Sequence, residues 1–424
     1  MNRSARRPRT DWLTTLWMLA ALTAGMWVLV GAQNLPHAWW TAIHVVTLGV
    51  LTNGILQWSW YFARGLLRLA PYDRRAGRDA TVRSLALNAI LVALIAAVWA
   101  NSAPAVVFLS AALGAVIAWH GFALAQASRR ALGSNHAIVL RFYVAAASMF
   151  VLGCAIAGAV AVILVDPTPP SWLASSRDEL TLAHAVVMGA GWIGLSISGT
   201  LVTLGPTMLR ARMDDSAVPR AVRALPWLVA LVITAGIAAA VGAVQLAGVA
   251  LGAYGAALVW AVALPLARAA AAKGPREHAS WSMLGGLAWT TVSIGAIAIT
   301  LVRATDAGEA RSQIAAWIPL LAAGGIAQVF VGALAYLMPV VIGGGPQSVR
   351  TGIGTIETLS PLRLVARNVS LLALAVSMNT AVPARGAWWA VVIVTVAVDI
   401  AALGAAGVRQ ARAKREAIAA DVAA

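Results

Sequence analysis

The chain consists of apolar runs of about twenty residues that follow one another from end to end. A helix needs about 20 apolar residues to cross the hydrocarbon core of a bilayer. Only 11% of the residues are charged, against about 25% in soluble domains. The sequence therefore predicts an all-α integral membrane protein, with residues 1–424 forming a single polytopic domain. Twelve such runs can be traced, near residues 11–32, 38–63, 82–100, 104–127, 138–165, 180–209, 221–243, 246–267, 279–302, 312–342, 364–383 and 386–408.

The net charge of +16 lies mostly on one predicted side of the membrane. Positive charge in short loops marks the cytoplasmic side. Basic residues precede the first run, so with twelve helices all but four of the 31 Lys and Arg fall inside. This predicts that both termini are cytoplasmic, with 409–424 as a cytoplasmic tail. It also gives the basic charge a topological cause, so we expect no nucleic-acid partner. The four outer residues are Arg177, Arg303, Arg311 and Arg385.

Two pairs of similar segments indicate an internal repeat. The sixth run ends "GTLVTLGPTML" (199–209) and the tenth ends "GALAYLMPVVI" (332–342), with Gly and Pro matching at a spacing of 133. The segments "HVVTLG" (44–49) and "HAVVMG" (184–189) match at a spacing of 140. Runs two, six and ten are four apart, which predicts three four-helix repeats, about 11–127, 138–267 and 279–408. Internal repeats are common in membrane folds built around a central site.

Two histidines lie at matching positions of this repeat. His44 and His184 are predicted at similar depth, roughly 7–10 Å below the outer boundary at about 1.5 Å per residue. Neutral imidazoles ligate copper or haem iron, and a shared ion would place two ring nitrogens about 4 Å apart. A neutral histidine bonded to a backbone carbonyl is the alternative. His37, at the interface, is a further metal candidate. Met188 could ligate or pack, and Gly191 on the same face predicts room for a flat cofactor.

The polar residues inside the later runs form a second candidate group. Asp399 lies in the middle of the twelfth run, where a charge is costly unless it is paired or neutralised. Together with Gln328 and Tyr336 it could line a polar or proton path, and a structural role is an equal alternative. The segment "IGGGPQSVRTGIG" (342–354) lacks the Lys-Ser/Thr of a phosphate-binding loop. It is predicted to be a flexible cytoplasmic loop.

The predicted architecture resembles the haem–copper oxidase superfamily, and most of all its shorter NnrS-type and copper-oxidase-like bacterial relatives. The segments that carry the resemblance are residues 44–62, 184–213 and 332–346. The resemblance implies His44 as a haem ligand and His184 as a haem or copper ligand. The family's His pair on helix seven and its H-x-H on helix ten are absent here. The resemblance therefore does not imply an intact oxygen-reducing centre.

The sequence leaves three functions open. The first is a bacterial inner-membrane protein that binds haem b or copper, in electron transfer or in metal or nitrogen-oxide handling, with a redox partner on the outer side. The second is a secondary transporter, since repeats, Gly/Pro-interrupted helices and Asp399 also suit transport. The third is a structural or assembly subunit of the membrane. Whether the protein is an enzyme stays open.

Overall fold

The computed structural model describes residues 11–30, 37–70, 73–129, 138–378 and 385–423. All regular structure in these ranges is helical, and eleven of the helices are long and apolar enough to cross a membrane. They are preceded by helix α1 (Asp11–Val30), whose apolar stretch Trp12–Trp27 is shorter. The chain therefore belongs to the class of helical multi-pass membrane proteins. The long helices are α2 (Ala38–Leu67), α3 (Arg74–Trp99), α4 (Ala103–Ser128), α5 (Ile138–Val165), α6 (Arg177–Met208), α7 (Ala217–Ala240), α8 (Val244–Lys273), α9 (His278–Arg303), α10 (Trp317–Ile342), α11 (Gly345–Val376) and α12 (Arg385–Ala423).

The surfaces of these helices carry large apolar side chains. Phe108 of α4, Trp227 of α7 and Ile299 of α9 are all more than half exposed. A soluble protein rarely exposes extended apolar surface of this kind, whereas hydrocarbon chains accept it.

The helices divide into two compact units. The first unit comprises Met1–Thr203, Asp215–Val262 and Ala298–Gln313, so it holds α1 to α5, α7 and most of α6 and α8. The second unit comprises Leu204–Asp214, Ala263–Ile297 and Ile314–Ala424, so it holds most of α9 and all of α10 to α12.

A buried amide pair joins the first three helices of the first unit. Asn53 of α2 and Asn88 of α3 exchange hydrogen bonds of 2.7 and 3.2 Å, and Trp17 of α1 donates its indole N–H to Asn88 at 2.5 Å. Each amide also donates to the carbonyl four residues earlier, Gly49 and Ser84. In apolar surroundings an unpaired amide is costly, so this network fixes how the three helices pack.

The same arrangement joins three helices of the second unit. Gln328 of α10 and Asn368 of α11 exchange hydrogen bonds of 3.2 Å in each direction. Trp289 of α9 donates its indole N–H to Asn368 at 2.8 Å. Both amides again donate to carbonyls four residues earlier, Gly324 and Leu364.

The prediction of a flexible loop at 342–354 is wrong, because most of this segment is helical. Only a short turn separates α10 from α11: Gly343, Gly344 and Gly345 have φ of 62°, 100° and 84°, which favour glycine because it has no Cβ. The helix then begins at Gly345. It packs against α12, where Gly352 contacts Gln410. Residues 345–357 are amphipathic, so their mean hydropathy is too low for the segment to be predicted as part of a membrane helix.

The segment predicted to be a cytoplasmic tail, 409–424, continues α12 as a helix up to Ala423. Helix α12 runs unbroken from Arg385 to Ala423. Gln410 donates to the carbonyls of Pro339 and Gly343, and Lys414 donates to that of Ile342. The bonds to Ile342 and Gly343 satisfy carbonyls at the end of α10, whereas Pro339 O accepts from Gly343 N as well as from Gln410. The basic residues before α1, on which the predicted topology rests, lie outside the described ranges.

Candidate functional site

The first unit brings His44 and His184 together. Their ring centroids are 6.4 Å apart and the ring planes are inclined by 21°. Each histidine lies at or just before a π-helical stretch, Val45–Thr52 in α2 and Val187–Gly194 in α6. Stretches of π-helix are rare and occur frequently at functional sites. Neither the π-helices nor this proximity has a signal in the sequence beyond the repeated "H-x-V" pattern.

The Nδ1 atom of each imidazole is bound to a backbone carbonyl. His44 Nδ1 lies 2.7 Å from Trp40 O, and His184 Nδ1 lies 3.1 Å from Gly153 O. A carbonyl only accepts, so each neutral ring carries its proton on Nδ1 and its lone pair on Nε2. The Trp40 ring also stacks on His44 at 4.1 Å. These contacts fix the tautomer and the orientation of both rings, as partners of metal-ligating histidines do.

The two helices that carry the histidines run parallel at this contact. Trp192 donates its indole N–H to Thr52 Oγ1 at 3.0 Å. The His44–His184 contact and the Thr52–Trp192 contact join residues at the same spacing of 140 and in the same order. Antiparallel helices would reverse the order of the second contact. The two π-helical stretches are therefore in register, and the histidines lie at matching positions along α2 and α6.

The spacing of the rings fits a single shared ion. Metal–imidazole bonds are about 2 Å long, and with ring nitrogens about 1 Å from the ring centres, two rings sharing an ion end to end have centres about 6 Å apart. The described residues contain no group of three or more His, Cys, Asp and Glu suited to a metal. An ion held by this pair would therefore have two ligands of these residue types, whereas a closed zinc site has four.

The face predicted to hold a flat cofactor is filled by protein. A Cβ on Gly191 would lie 2.7 Å from Met149 and 3.2 Å from Val232. Met188 packs its sulfur against Gly153, where a Cβ would overlap it. Gly153 therefore has two roles: its carbonyl accepts from His184, and its missing side chain admits Met188. These contacts describe Met188 as a packing residue.

His37 makes its contacts with the end of α3 and with the turn that follows it. Its Nε2 lies 3.0 Å from Asn101 Oδ1, and its ring meets Trp99 edge to face at 6.3 Å. The residue itself has a left-handed backbone, with φ of 62°, immediately before α2. The contacts of His37 among the described residues do not include His44 or His184.

The second unit buries Asp399 in a cluster of charges. Asp399 forms ion pairs with Arg363 and Arg367 of α11, and its Oδ1 lies 3.5 Å from His278 Nε2. Arg367 also donates to Thr395 Oγ1 at 3.3 Å. All of these side chains are buried. The sequence singles out Asp399 but not its partners, because Arg363 and Arg367 fall at the start of the predicted run 364–383, among the basic residues assigned to the cytoplasmic side.

A chain of polar groups connects this cluster to a cavity within the same unit. Glu357 accepts from the backbone N–H of His278 at 2.8 Å and hydrogen-bonds Ser360. Ser360 Oγ lies 3.1 Å from His278 Nδ1, and the other ring nitrogen faces Asp399. The cavity has a volume of about 310 Å³, and Glu357 lines it with Glu277, Arg210 and Tyr336.

The structure separates the three residues predicted for a polar path. Gln328 belongs to the amide network with Trp289 and Asn368, Tyr336 lines the cavity, and Asp399 lies in the ion cluster.

Sequence comparisons found no known protein family and no characterised protein that matches this chain.

Proposed function

We propose that this protein is a membrane metalloprotein in which His44 and His184 jointly ligate one ion. The observation that carries the proposal is the His44–His184 pair itself: two imidazoles on parallel helices, 6.4 Å apart, each with Nδ1 held by a carbonyl. Neutral imidazoles are good ligands for copper, and haem iron is the alternative. The packed Gly191 face favours the bare ion.

The chain's own residues would orient the ligands and exclude other donors. Trp40 and the two carbonyls hold the imidazoles in one tautomer, so that no proton has to leave when a metal binds. A bound copper ion would supply one-electron chemistry or a site for copper handling. The supported role is electron transfer or metal handling in a bacterial inner membrane, with a redox or delivery partner on the outer side.

Metal and haem content of the purified protein tests this proposal. The protein is expressed with copper and haem available, and bound copper and the reduced-minus-oxidised spectrum are measured. We expect about one copper per chain, lost in His44→Ala and in His184→Ala while both variants still insert. A Soret band that disappears in both variants would assign haem iron instead. Full content in both variants, or none in the wild type, would refute the proposal.

Two further variants separate ligation from packing. His37→Gln is the matched control, since it removes an imidazole bound to Asn101, and we expect unchanged metal content. Gly153→Ala adds a Cβ that overlaps Met188 and so shifts the carbonyl that orients His184. We expect it to weaken metal affinity by about 10–100-fold, as loss of a partner of a ligating histidine does.

We also propose the finer architecture of twelve spanning helices in three repeats, with both termini cytoplasmic. The support is the parallel register of α2 and α6 at a spacing of 140 and the matching amide networks of α1–α3 and α9–α11. In intact cells Ser175→Cys, in the predicted outer loop, should react with an impermeant thiol reagent. Reaction only after lysis would contradict this topology.

Transport is the second candidate function. The observation that favours it is the polar chain from the cavity through Glu357, Ser360 and His278 to Asp399. Buried ionisable groups in membrane helices commonly mark substrate or ion pathways. Proteoliposomes that show no metal-dependent spectrum but carry a proton or ion flux abolished by Glu357→Gln would establish transport in place of the metal site.

A further inference from the structure

Arg83 of α3 is buried with most of its hydrogen-bonding capacity unused. It is fully enclosed, and Nη2 donates to Arg75 O at 2.7 Å. Its guanidinium lies 5.3 Å from the Trp60 ring and 5.1 Å from the Trp119 ring. Nε and Nη1 are buried and have no partner among the described residues. Aromatic faces attract the cation, but they do not replace acceptors for its N–H groups.

The side chains around Arg83 share this lack of partners. Trp60 Nε1, Ser84 Oγ and His120 Nδ1 are also buried and unpartnered in the described part of the chain. His120 is held through its other nitrogen, 3.0 Å from Ser59 Oγ, and its ring meets Trp60 edge to face. The indole and the guanidinium can only donate, and the serine can donate as well. Ser59 Oγ donates to Leu56 O, so it accepts from His120 Nε2–H, and His120 Nδ1 carries a lone pair. The guanidinium and the indole still leave the cluster with more unused donors than acceptors.

The cluster also lacks a counter-charge. No carboxylate of the described residues lies within 4 Å of the Arg83 guanidinium. Asp79, one helical turn earlier, attracts it only at longer range. An isolated buried charge is strongly unfavourable unless it is paired. A native group with unused buried donors calls for a bound water or ion.

The second unit contains the missing partner. Arg363 lies five residues before Asn368, as Arg83 lies five residues before Asn88. Its carboxylate partner, Asp399, lies 36 residues further along the chain. The residue 36 positions after Arg83 is Trp119. At matching positions relative to the two amide networks, Arg363 thus pairs with a carboxylate of the protein, whereas Arg83 lies against an indole.

We propose that Arg83, Trp60 and Ser84 bind a small monovalent inorganic anion of the size of chloride. The anion accepts from the unpartnered N–H and O–H groups and neutralises the single charge of Arg83, as Asp399 does for the arginines of the second unit. A monovalent anion balances one guanidinium. All three side chains are buried, which favours an anion of few atoms. The proposal does not depend on metal binding at His44 and His184.

Thermal unfolding of the purified protein in chloride and in gluconate, at constant ionic strength, tests the proposal. A ligand that binds only the folded state raises Tm in a saturable way. We expect chloride and bromide, titrated into gluconate, to raise Tm by about 5 °C at saturation. Arg83→Met should lose this dependence. Trp119→Glu should lose it as well, because it installs an internal carboxylate where the second unit has Asp399.

The control is Arg220→Gln, which removes another arginine lying over an indole, 5.4 Å from the Trp260 ring but only half-buried. It should keep the full chloride dependence. Crystals grown in bromide should show an anomalous peak beside Arg83, which decides the matter if Arg83→Met does not fold. The proposal is wrong if wild-type Tm is the same in chloride and gluconate, if Arg83→Met keeps the dependence, or if no bromide peak lies at this cluster.

Discussion

Helices α1–α4 and α9–α12 use one polar framework to support two different interiors. In each, a tryptophan donates to an asparagine that exchanges hydrogen bonds with an amide on the preceding helix. In each, an arginine lies five residues before that asparagine. The first set surrounds its arginine with Trp60 and Trp119, and the second pairs it with Asp399.

The difference extends to the neighbouring space. Seven residues after Asn53 stands Trp60, which is buried, and seven residues after Gln328 stands Ala335, which lines the 310 Å³ cavity. In α1–α4 an indole occupies this position, whereas α9–α12 have a cavity beside the ion cluster. A hydrogen-bonded framework that fixes helix packing therefore leaves adjacent positions free to change, because the framework does not depend on them.

The largest expected effect concerns the ion cluster, which only the second set contains. Asp399→Asn leaves Arg363 and Arg367 buried without their carboxylate, and breaking a buried ion pair costs about 3–5 kcal/mol. We expect a severe loss of folded protein, measured as the monodisperse fraction in detergent and as Tm. Asp166→Asn, in a loop turn with Thr168, is the control and should change little. A stable Asp399→Asn protein would mean that the cluster contributes little to folding.

An intermediate effect is expected from breaking the shared framework in each set. Asn88→Leu and Asn368→Leu each leave an indole N–H and the oxygen of a second amide without a partner, at a cost of about 1–3 kcal/mol per buried group. The two losses of stability should be similar, and additive in the double variant because the residues belong to separate units. Denaturation of the single and double variants measures both. A large loss in one variant only would show that the frameworks are not equivalent.

The smallest effect should distinguish the two frameworks by how closely their helices approach. A Cβ on Gly49 would lie 2.6 Å from the Trp17 ring, whereas a Cβ on Gly324 would lie 3.0 Å from that of Trp289. We expect Gly49→Ala to lower Tm more than Gly324→Ala, since overpacking costs about 1–3 kcal/mol and grows with overlap. Equal Tm values would indicate that Trp17 moves aside without cost.

Part of the candidate site could be predicted from the sequence. The repeated "H-x-V" segments at a spacing of 140 pointed to His44 and His184 because a repeat places equal positions at equal depth. A buried aspartate needs a partner, so Asp399 could be singled out, but its partners could not. Arg363 and Arg367 look like ordinary basic residues until the start of α11 is known. The filling of the Gly191 face could not be predicted for a related reason, since the residues that fill it come from α5 and α7.

The sequence alone determined the helical membrane class, because runs of about twenty apolar residues admit few other folds. It also determined the approximate place of most helices and which ionisable residues lie inside them. Only the tertiary structure decided the helical start of α11, the π-helical stretches, the two amide networks and the separation of Gln328, Tyr336 and Asp399. The physical reason is that apolar periodicity records what each helix buries, whereas hydrogen bonds and ion pairs between helices depend on neighbours far apart in the chain.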